Sequence, residues 1–249
     1  MGDFENWVAE YTKYVDRILA IIPYKRMATW KEFFFSPVPT LNANMDSVGQ
    51  RVKDLVASQL VGMAVGLIGI LPMLLLFAVL NPFIILIGLV FIVIGIPLGI
   101  VLSLAFALLF IGLEYAVAKI LGGAADFRGH FNASTLPGLS SFVMNLPLHI
   151  AAVPLMWLMV IPVISCCFTL LSYALYIPMF LILLYTLYLK YLSFREVHKF
   201  DGARAAATVI LPIVVMFVLI LAIYLLVVVF YFASIFTLLG SMPSGGTLG

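Results

Sequence analysis

Charged residues are scarce in this sequence, and long stretches have none. Asp, Glu, Lys and Arg make up 10% of the 249 residues, and they are absent from 55–113, 129–189 and 205–249. Soluble globular domains carry about 25% charged residues, so this scarcity excludes a soluble domain. Hydrophobic residues reach 65%, and the mean hydropathy is +1.22. The composition therefore indicates an integral membrane protein that is surrounded by the lipid bilayer.

The residue clusters that support catalysis or metal binding are also missing. The two cysteines, Cys166 and Cys167, are adjacent and have no His, Asp or Glu close to them in sequence, which argues against a metal site. The sequence contains no nucleophilic triad, no paired carboxylates and no nucleotide-binding loop. We therefore expect no enzymatic activity, no cofactor and no nucleic-acid partner.

The uncharged blocks are long enough to predict the number of membrane crossings. A hydrocarbon core of about 30 Å needs about 20 helical residues, so the blocks accommodate two, two and one crossings. The sequence thus predicts an all-α integral membrane protein with five transmembrane helices. Their expected positions are 59–80, 97–121, 139–164, 168–192 and 205–235.

The stretch 82–121 is too long for one straight crossing. As a single helix it would be about 60 Å long, twice the hydrocarbon thickness. Pro97 lies between two glycines in the sequence GIPLG, and such a combination interrupts a helix. We therefore predict a re-entrant or broken helix at about 82–99, followed by one crossing. The alternative is a sixth crossing over 82–95, which would reverse the orientation of everything that follows.

The basic residues predict the orientation. With five crossings, all 13 Lys and Arg residues fall on the side of the N-terminus, and the side richer in Lys and Arg is the cytoplasmic one. The prediction is a cytoplasmic N-terminal segment over 1–54, a five-helix transmembrane domain over 55–239 and a short extracytoplasmic tail over 240–249.

Residues 4–22 have the spacing of an amphipathic helix. Apolar residues recur every three or four positions, and charged residues occupy the opposite face. The apolar face contains Phe4, Trp7, Tyr11, Val15 and Ile18. Two interpretations remain open, namely a helix that rests on the cytoplasmic leaflet and a helix that docks a partner protein.

A polar island, 119–138, separates the first two uncharged blocks. Gly122 and Gly123 predict the end of a helix, because glycine accepts the left-handed backbone that closes one. The same glycines would also let a phosphate or lipid headgroup approach, with help from Arg128 and His130. We predict a cytoplasmic loop here. The main role of its glycines is to end the preceding helix, and the alternative is that the loop binds anionic lipid headgroups.

Three polar residues fall within or near predicted crossings, where such residues are functional candidates. Glu114 precedes the polar island and is expected to snorkel or pair near the interface, so its replacement by Gln should matter little. His149 lies between Pro147 and Pro154 in its predicted helix. It is either a buried histidine bonded to a carbonyl that a proline has freed, or part of a transport path. Asn145 lies one turn earlier and is assigned to the same polar cluster.

Three short motifs resemble the Ypt-interacting (Yip) family of polytopic membrane proteins. The sequence LGGAADFRG after a hydrophobic helix, followed by LPGL, is similar to the family's central signature. REVHKFDGARAA is similar to the connection between its fourth and fifth helices, and WKEFFFSPVP is similar to its initial segment. The first motif and the residue after it contain Gly122, Gly123, Phe127, Arg128 and His130, and the second contains His198, Lys199 and Arg204.

The resemblance implies five transmembrane helices, a cytoplasmic N-terminal segment and, in eukaryotic members, association with Rab-type GTPases and vesicle traffic. With its short N-terminal segment, the chain is identified as a prokaryotic-type member. The predicted function is a Yip-like membrane scaffold or adaptor that binds a protein partner or organises membrane lipid, as a subunit of a larger membrane complex. The alternative is a transporter or channel component with a polar site around Asn145 and His149.

Overall fold

A computed structural model describes residues 2–81, 83–158 and 162–240, which are almost entirely helical. Three helices precede the apolar region: α1 (Gly2–Ile21), α2 (Met27–Phe35) and α3 (Pro37–Ala43). The later helices are α4 (Val48–Leu80), α5 (Phe83–Val90), α6 (Ile96–Ile120), α7 (Phe127–Leu158), α8 (Pro162–His198) and α9 (Gly202–Gly240). A π-helical segment, Phe91–Gly95, joins α5 to α6.

Five helical stretches in the described part of the chain are long and apolar enough to cross a membrane. They are Val48–Val79, Leu86–Ile120, Phe127–Leu158, Thr169–His198 and Gly202–Ser234. Each is longer than the roughly 20 residues that a crossing requires. The predicted all-α fold with five transmembrane helices is confirmed, and the chain is a multi-pass integral membrane protein.

The predicted break at 82–99 takes the form of a π-helical widening. The backbone is helical on both sides of Phe91–Gly95, so α5, the π-helical segment and α6 continue into one another. Pro97 sits in the first turn of α6, where the widened backbone tolerates its missing N–H. Leu86–Ile120 therefore forms one candidate crossing. The described residues show neither the re-entrant turn nor the sixth crossing.

The polar stretch 127–138 belongs to α7 and is not part of a loop. Asp126 caps the helix, because its Oδ1 accepts a hydrogen bond from the Gly129 N–H at 2.7 Å and its carbonyl accepts one from the His130 N–H at 3.1 Å. Most residues of this stretch are buried. The loop prediction was wrong here, since polar composition alone does not distinguish a loop from a helix whose polar side chains bond inside the protein.

α7 is the central helix of the bundle. In its most apolar part 39% of the residues are buried, compared with 6% or less in the other four candidate crossings. It packs against α8, α4 and α2. Trp30 and Phe33 of α2 share a core with Leu136 and Leu139 of α7. The N-terminal helices are therefore part of the same folded unit as the bundle.

One end of the bundle collects the positive charge, and we call it the basic end. α4, α7 and α9 begin there, and α6 and α8 end there. All 13 Lys and Arg residues belong to α1–α3 or to the helix ends and connections on this side. The Lys and Arg residues that predicted the orientation from sequence therefore also lie at one end of the folded protein.

Candidate functional site

The basic end contains a buried ion network around Arg51 of α4. The Arg51 side chain is fully buried, and its guanidinium lies 3.0 Å from Asp54 Oδ2 and 2.9 Å from Asp46 Oδ2. Its Nε donates to Asn132 Oδ1 of α7 at 2.7 Å, and its Nη2 donates to the Asn44 carbonyl at 2.7 Å. A buried arginine is tolerated when it is paired and hydrogen-bonded in this way.

Arg26 and Tyr24 extend this network to the N-terminal segment. Arg26 Nε lies 2.9 Å from Asp54 Oδ1, and its Nη2 lies 2.5 Å from Asp46 Oδ2. The hydrogen bond to Asp54 raises the pKa of the Arg26 guanidinium above its ordinary value. The Tyr24 hydroxyl donates to Asp54 Oδ1 at 2.6 Å, and burial together with this hydrogen bond raises the pKa of Tyr24 to about 12. At neutral pH both groups therefore hold the segment before α4 against α4.

Arg128, a predicted headgroup ligand, binds backbone carbonyls. Its Nη2 donates to the Met45 carbonyl, and its Nε donates to the Asp46 carbonyl at 3.0 Å. Asn132, one turn later, donates from Nδ2 to the same Asp46 carbonyl at 2.9 Å. His130, the other predicted headgroup ligand, is fully buried. The geometry therefore gives no support to a headgroup site formed by Arg128 and His130, because both side chains already bond within the protein or pack inside it.

Two buried histidines connect the start of α7 to the end of α8. His130 Nδ1 lies 2.9 Å from His198 Nε2, so one nitrogen donates and the other accepts. The His130 ring stacks on Phe194 at 4.8 Å between centroids, and the His198 ring stacks on Phe200 at 5.0 Å. The segment that follows α6 and the segment that ends α8 are therefore in direct contact through these two histidines.

Gly122 and Gly123 end α6 beside this histidine pair. Gly122 has φ +84°, and the Gly123 N–H donates to the Ala118 carbonyl at 2.8 Å, as expected for a glycine-terminated helix. The predicted helix stop is therefore present. A Cβ on Gly123 would lie 2.4 Å from His198 Nδ1, so glycine is what allows the histidine to approach this turn. Lys119 Nζ completes the turn by donating to the Gly123 carbonyl at 3.1 Å.

Glu114 of α6 forms a buried ion pair with Lys190 of α8. Lys190 Nζ contacts Glu114 Oε1, and Ser134 Oγ of α7 donates to Glu114 Oε2 at 2.5 Å. Lys190 Nζ also lies 5.0 Å from the centroid of the Phe110 ring and 5.8 Å from that of the Phe194 ring, within the range of a cation–π contact. Glu114 is therefore paired, as one of the two expectations had it, and its partner is Lys190. Its side chain is fully buried, so Glu114→Gln is expected to lower the stability of the protein.

The other predicted residues at the basic end close helix termini. Lys199, directly after α8, has φ +55° and pairs with Glu196 at 2.9 Å, and Arg204 lies 3.6 Å from Asp201 in the first turn of α9. The Phe127 ring meets the Tyr115 ring edge to face at 5.3 Å. Exposed ion pairs of this kind contribute little stability, so Lys199 and Arg204 remain free to change without loss of the fold.

The apolar face of α1 packs against the bundle. Val15 is buried in the main core, and the Tyr11 hydroxyl donates to the Met144 carbonyl of α7. Trp7 stacks on Tyr11 at 5.4 Å but stays 55% exposed, and Ile18 is half-buried. Much of the predicted docking face is thus covered by the protein itself.

Asn145 and His149 do not form the predicted polar cluster. Asn145 Nδ2 donates to the Ser141 carbonyl of its own helix at 3.0 Å. His149 is exposed and makes no hydrogen bond with any described residue, so the prediction of a buried histidine bonded to a freed carbonyl was wrong. It lines a cavity between α4, α7 and α8, from which Asn145 is absent. The helical turn that separates the two residues in sequence does not bring their side chains to one site.

Phe4, Cys166 and Cys167 were also singled out in the sequence, but their side chains are not among those that the structure describes.

In the part of the chain that the structure describes, no group of three His, Cys, Asp or Glu residues is placed to hold a metal ion. No family model matches this chain, and neither a curated protein nor a solved structure matches it. Function is therefore inferred from the geometry of these sites.

Proposed function

We propose that this protein is a Yip-like membrane scaffold or adaptor that presents a cytoplasmic platform to a partner protein. The Arg51 ion network is the observation that supports the proposal most directly, because it joins the N-terminal helices to α4 and α7. A segment held in this way offers a fixed surface, so a partner binds without first having to order it. The basic end faces the cytoplasm in this proposal, since it carries all 13 Lys and Arg residues.

The outward face of α1 is the partner surface in this proposal. Tyr14 is 58% exposed and Ile21 is 82% exposed. Arg17 lies about one helical turn from each of them and is also exposed. Tyrosine and arginine are enriched among the residues that dominate binding energy at protein interfaces. This face takes the place of the predicted face around Tyr11 and Val15, which packs internally.

Affinity purification of the full-length protein in mild detergent tests this proposal. A partner protein should copurify in stoichiometric amount with the unmodified chain. The double variant Tyr14→Ala, Ile21→Glu should recover at least about tenfold less of that partner, because two interface residues are removed. Ile120→Glu is the matched control, since Ile120 is 84% exposed at the same end of the bundle, and it should retain the partner. Equal recovery from the double variant and the unmodified chain would contradict the proposal. Recovery of anionic lipid without a protein would favour lipid organisation as the form that this function takes.

Transport is the second candidate function, and the cavity beside His149 is the observation that favours it. Polar groups at membrane depth form substrate sites in transporters. In proteoliposomes, a transporter of this kind would move a solute and lose that flux in His149→Ala at an unchanged melting temperature. If the unmodified protein moves neither ions nor small polar solutes, that result would contradict transport, and the scaffold function would be the one proposal that remains.

A further inference from the structure

A cavity of about 460 Å³ lies between α4, α7 and α8. Its walls include Gly62 and Gly66 of α4, His149 of α7 and Tyr176 of α8. His149 lies nine residues, or about 14 Å along the helix, before Leu158, where this candidate crossing ends, and that distance is close to half of a hydrocarbon core of about 30 Å. The cavity is therefore close to the middle of the membrane.

Glycines on α4 create this space. A Cβ on Gly66 would meet nothing within 4 Å, and a Cβ on Gly62 would meet only Phe142 Cε2, at 3.4 Å. The volume falls within the range of about 300–1,000 Å³ that small-molecule sites occupy. A second cavity, of about 310 Å³, also contains Gly62 and Phe142, together with Ser58 and Gln59 nearer the basic end. The two cavities therefore adjoin each other at Gly62 and Phe142.

The side chains around the cavity favour a flat, uncharged ring. Phe142, Tyr176, Met156 and Met179 all line it, and aromatic rings and methionine sulfur atoms make favourable contacts with the faces and edges of other rings. A neutral imidazole at His149 supplies one N–H donor and one acceptor, and no described residue uses either. A charged ligand is disfavoured, because charge is costly at this depth.

We propose that this cavity binds a neutral, membrane-soluble molecule of the quinone type, with one ring carbonyl accepting a hydrogen bond from His149. The ring of the ligand packs among Phe142, Tyr176 and the two methionines, and the hydrocarbon chain of the ligand lies in the apolar remainder of the cavity. The site is independent of the α1 surface, so loss of the partner protein would leave it intact. It adds a lipid-soluble ligand to a protein proposed above as a scaffold.

Photolabelling of the purified full-length protein tests this inference. The probe is a benzoquinone that carries a decyl chain and an azide, and the reference probe has the same chain and azide on a benzene ring without carbonyls. We expect saturable labelling of peptides that contain residues 142–156 and 172–179. Unlabelled decylbenzoquinone should displace it, and the quinone probe should be preferred about tenfold over the carbonyl-free probe.

Three variants make the result specific. His149→Phe keeps a ring of similar bulk but removes the donor, so the preference for the quinone should fall to about one. Gly66→Leu fills the cavity and should abolish saturable labelling, whereas Gly112→Leu adds the same side chain on α6 where nothing lies within 4 Å and should change nothing. Unsaturable labelling spread over α6 and α9, or a tenfold preference that persists in His149→Phe, would overturn the proposal. If Gly66→Leu does not fold, the two probes and His149→Phe still decide it.

Discussion

Arg51 Nε donates a hydrogen bond to Asn132 Oδ1 at 2.7 Å, which joins the first turn of α4 to the second turn of α7. The amide of the same asparagine donates to the Asp46 carbonyl at 2.9 Å. One side chain thus binds both the helix of the first crossing and the connection that precedes it. The first and third crossings and the N-terminal segment are fixed to one another at a single buried point.

Arg51→Met should destabilise the protein strongly. The substitution leaves the fully buried Asp54 carboxylate without one of its two arginines, and breaking a buried ion pair lowers the free energy of unfolding by about 3–5 kcal/mol. Denaturation in detergent measures this loss. Lys53→Met is the matched control, because Lys53 is exposed on the same helix and should change stability by less than about 0.5 kcal/mol. Equal effects of the two variants would contradict the structural role of the network.

Glu114→Gln should also lower stability, contrary to what the sequence suggests. Lys190 would lose its anionic partner while its charge stays mostly buried, which lowers the free energy of unfolding by about 2 kcal/mol or more. The double variant Glu114→Gln, Lys190→Met should recover part of this loss, because no unpaired charge remains. Thermal denaturation of the four proteins in a double-mutant cycle measures the coupling. If the changes in the free energy of unfolding of the two single variants add up to that of the double variant, Glu114 and Lys190 contribute to stability independently, which would contradict the ion pair.

Gly123→Ala should disturb the contact between the end of α6 and the end of α8. The added Cβ would lie 2.4 Å from His198 Nδ1 and 2.8 Å from the Ala118 carbonyl oxygen, so the chain must shift. Overpacking of this kind lowers stability by about 1–3 kcal/mol. Gly49→Ala introduces the same methyl group where nothing lies within 4 Å and should be close to neutral. A neutral Gly123→Ala would mean that the two helix ends separate easily.

The orientation can be tested with single cysteines in a background that carries Cys166→Ser and Cys167→Ser. Ala124→Cys and Ala203→Cys lie at exposed positions of the basic end and should react with a membrane-impermeant maleimide from the cytoplasmic side only. Ser244→Cys, in the tail beyond the described residues, should react from the opposite side. Labelling of Ala203→Cys and Ser244→Cys from the same side would refute the five-crossing orientation.

The crossings were predictable from sequence because a membrane helix is a contiguous apolar stretch, and contiguity is visible along the chain. The stop at Gly122 was predictable for a similar reason, since its left-handed φ is a local property of glycine. The length and apolar character of 82–121 likewise indicated a helical irregularity near Pro97. These features need no knowledge of which distant residues meet.

The buried polar contacts were not predictable in the same way. Asn132 and Arg51 are 81 positions apart, and Ser134 and Glu114 are 20 apart, so no local pattern pairs them. Arg51 and Asp54, three residues apart at the start of α4, were the available signal, but the same spacing is common on exposed helix faces. At His149 the nearby prolines suggested a local backbone partner, whereas its surroundings depend on the glycines of α4.

The N-terminal helices bond to residues that are synthesised much later. Tyr11 bonds to Met144, 133 positions later, and the Tyr185 hydroxyl donates to the Phe34 carbonyl across 151 positions. At a synthesis rate of about 5–20 residues per second, the apolar face of α1 waits for roughly ten seconds or more before α7 and α8 exist. The membrane surface is the apolar cover within reach during that interval. The amphipathic pattern of α1 therefore suits two environments, the bilayer surface while the later helices are made and the bundle once they are in place.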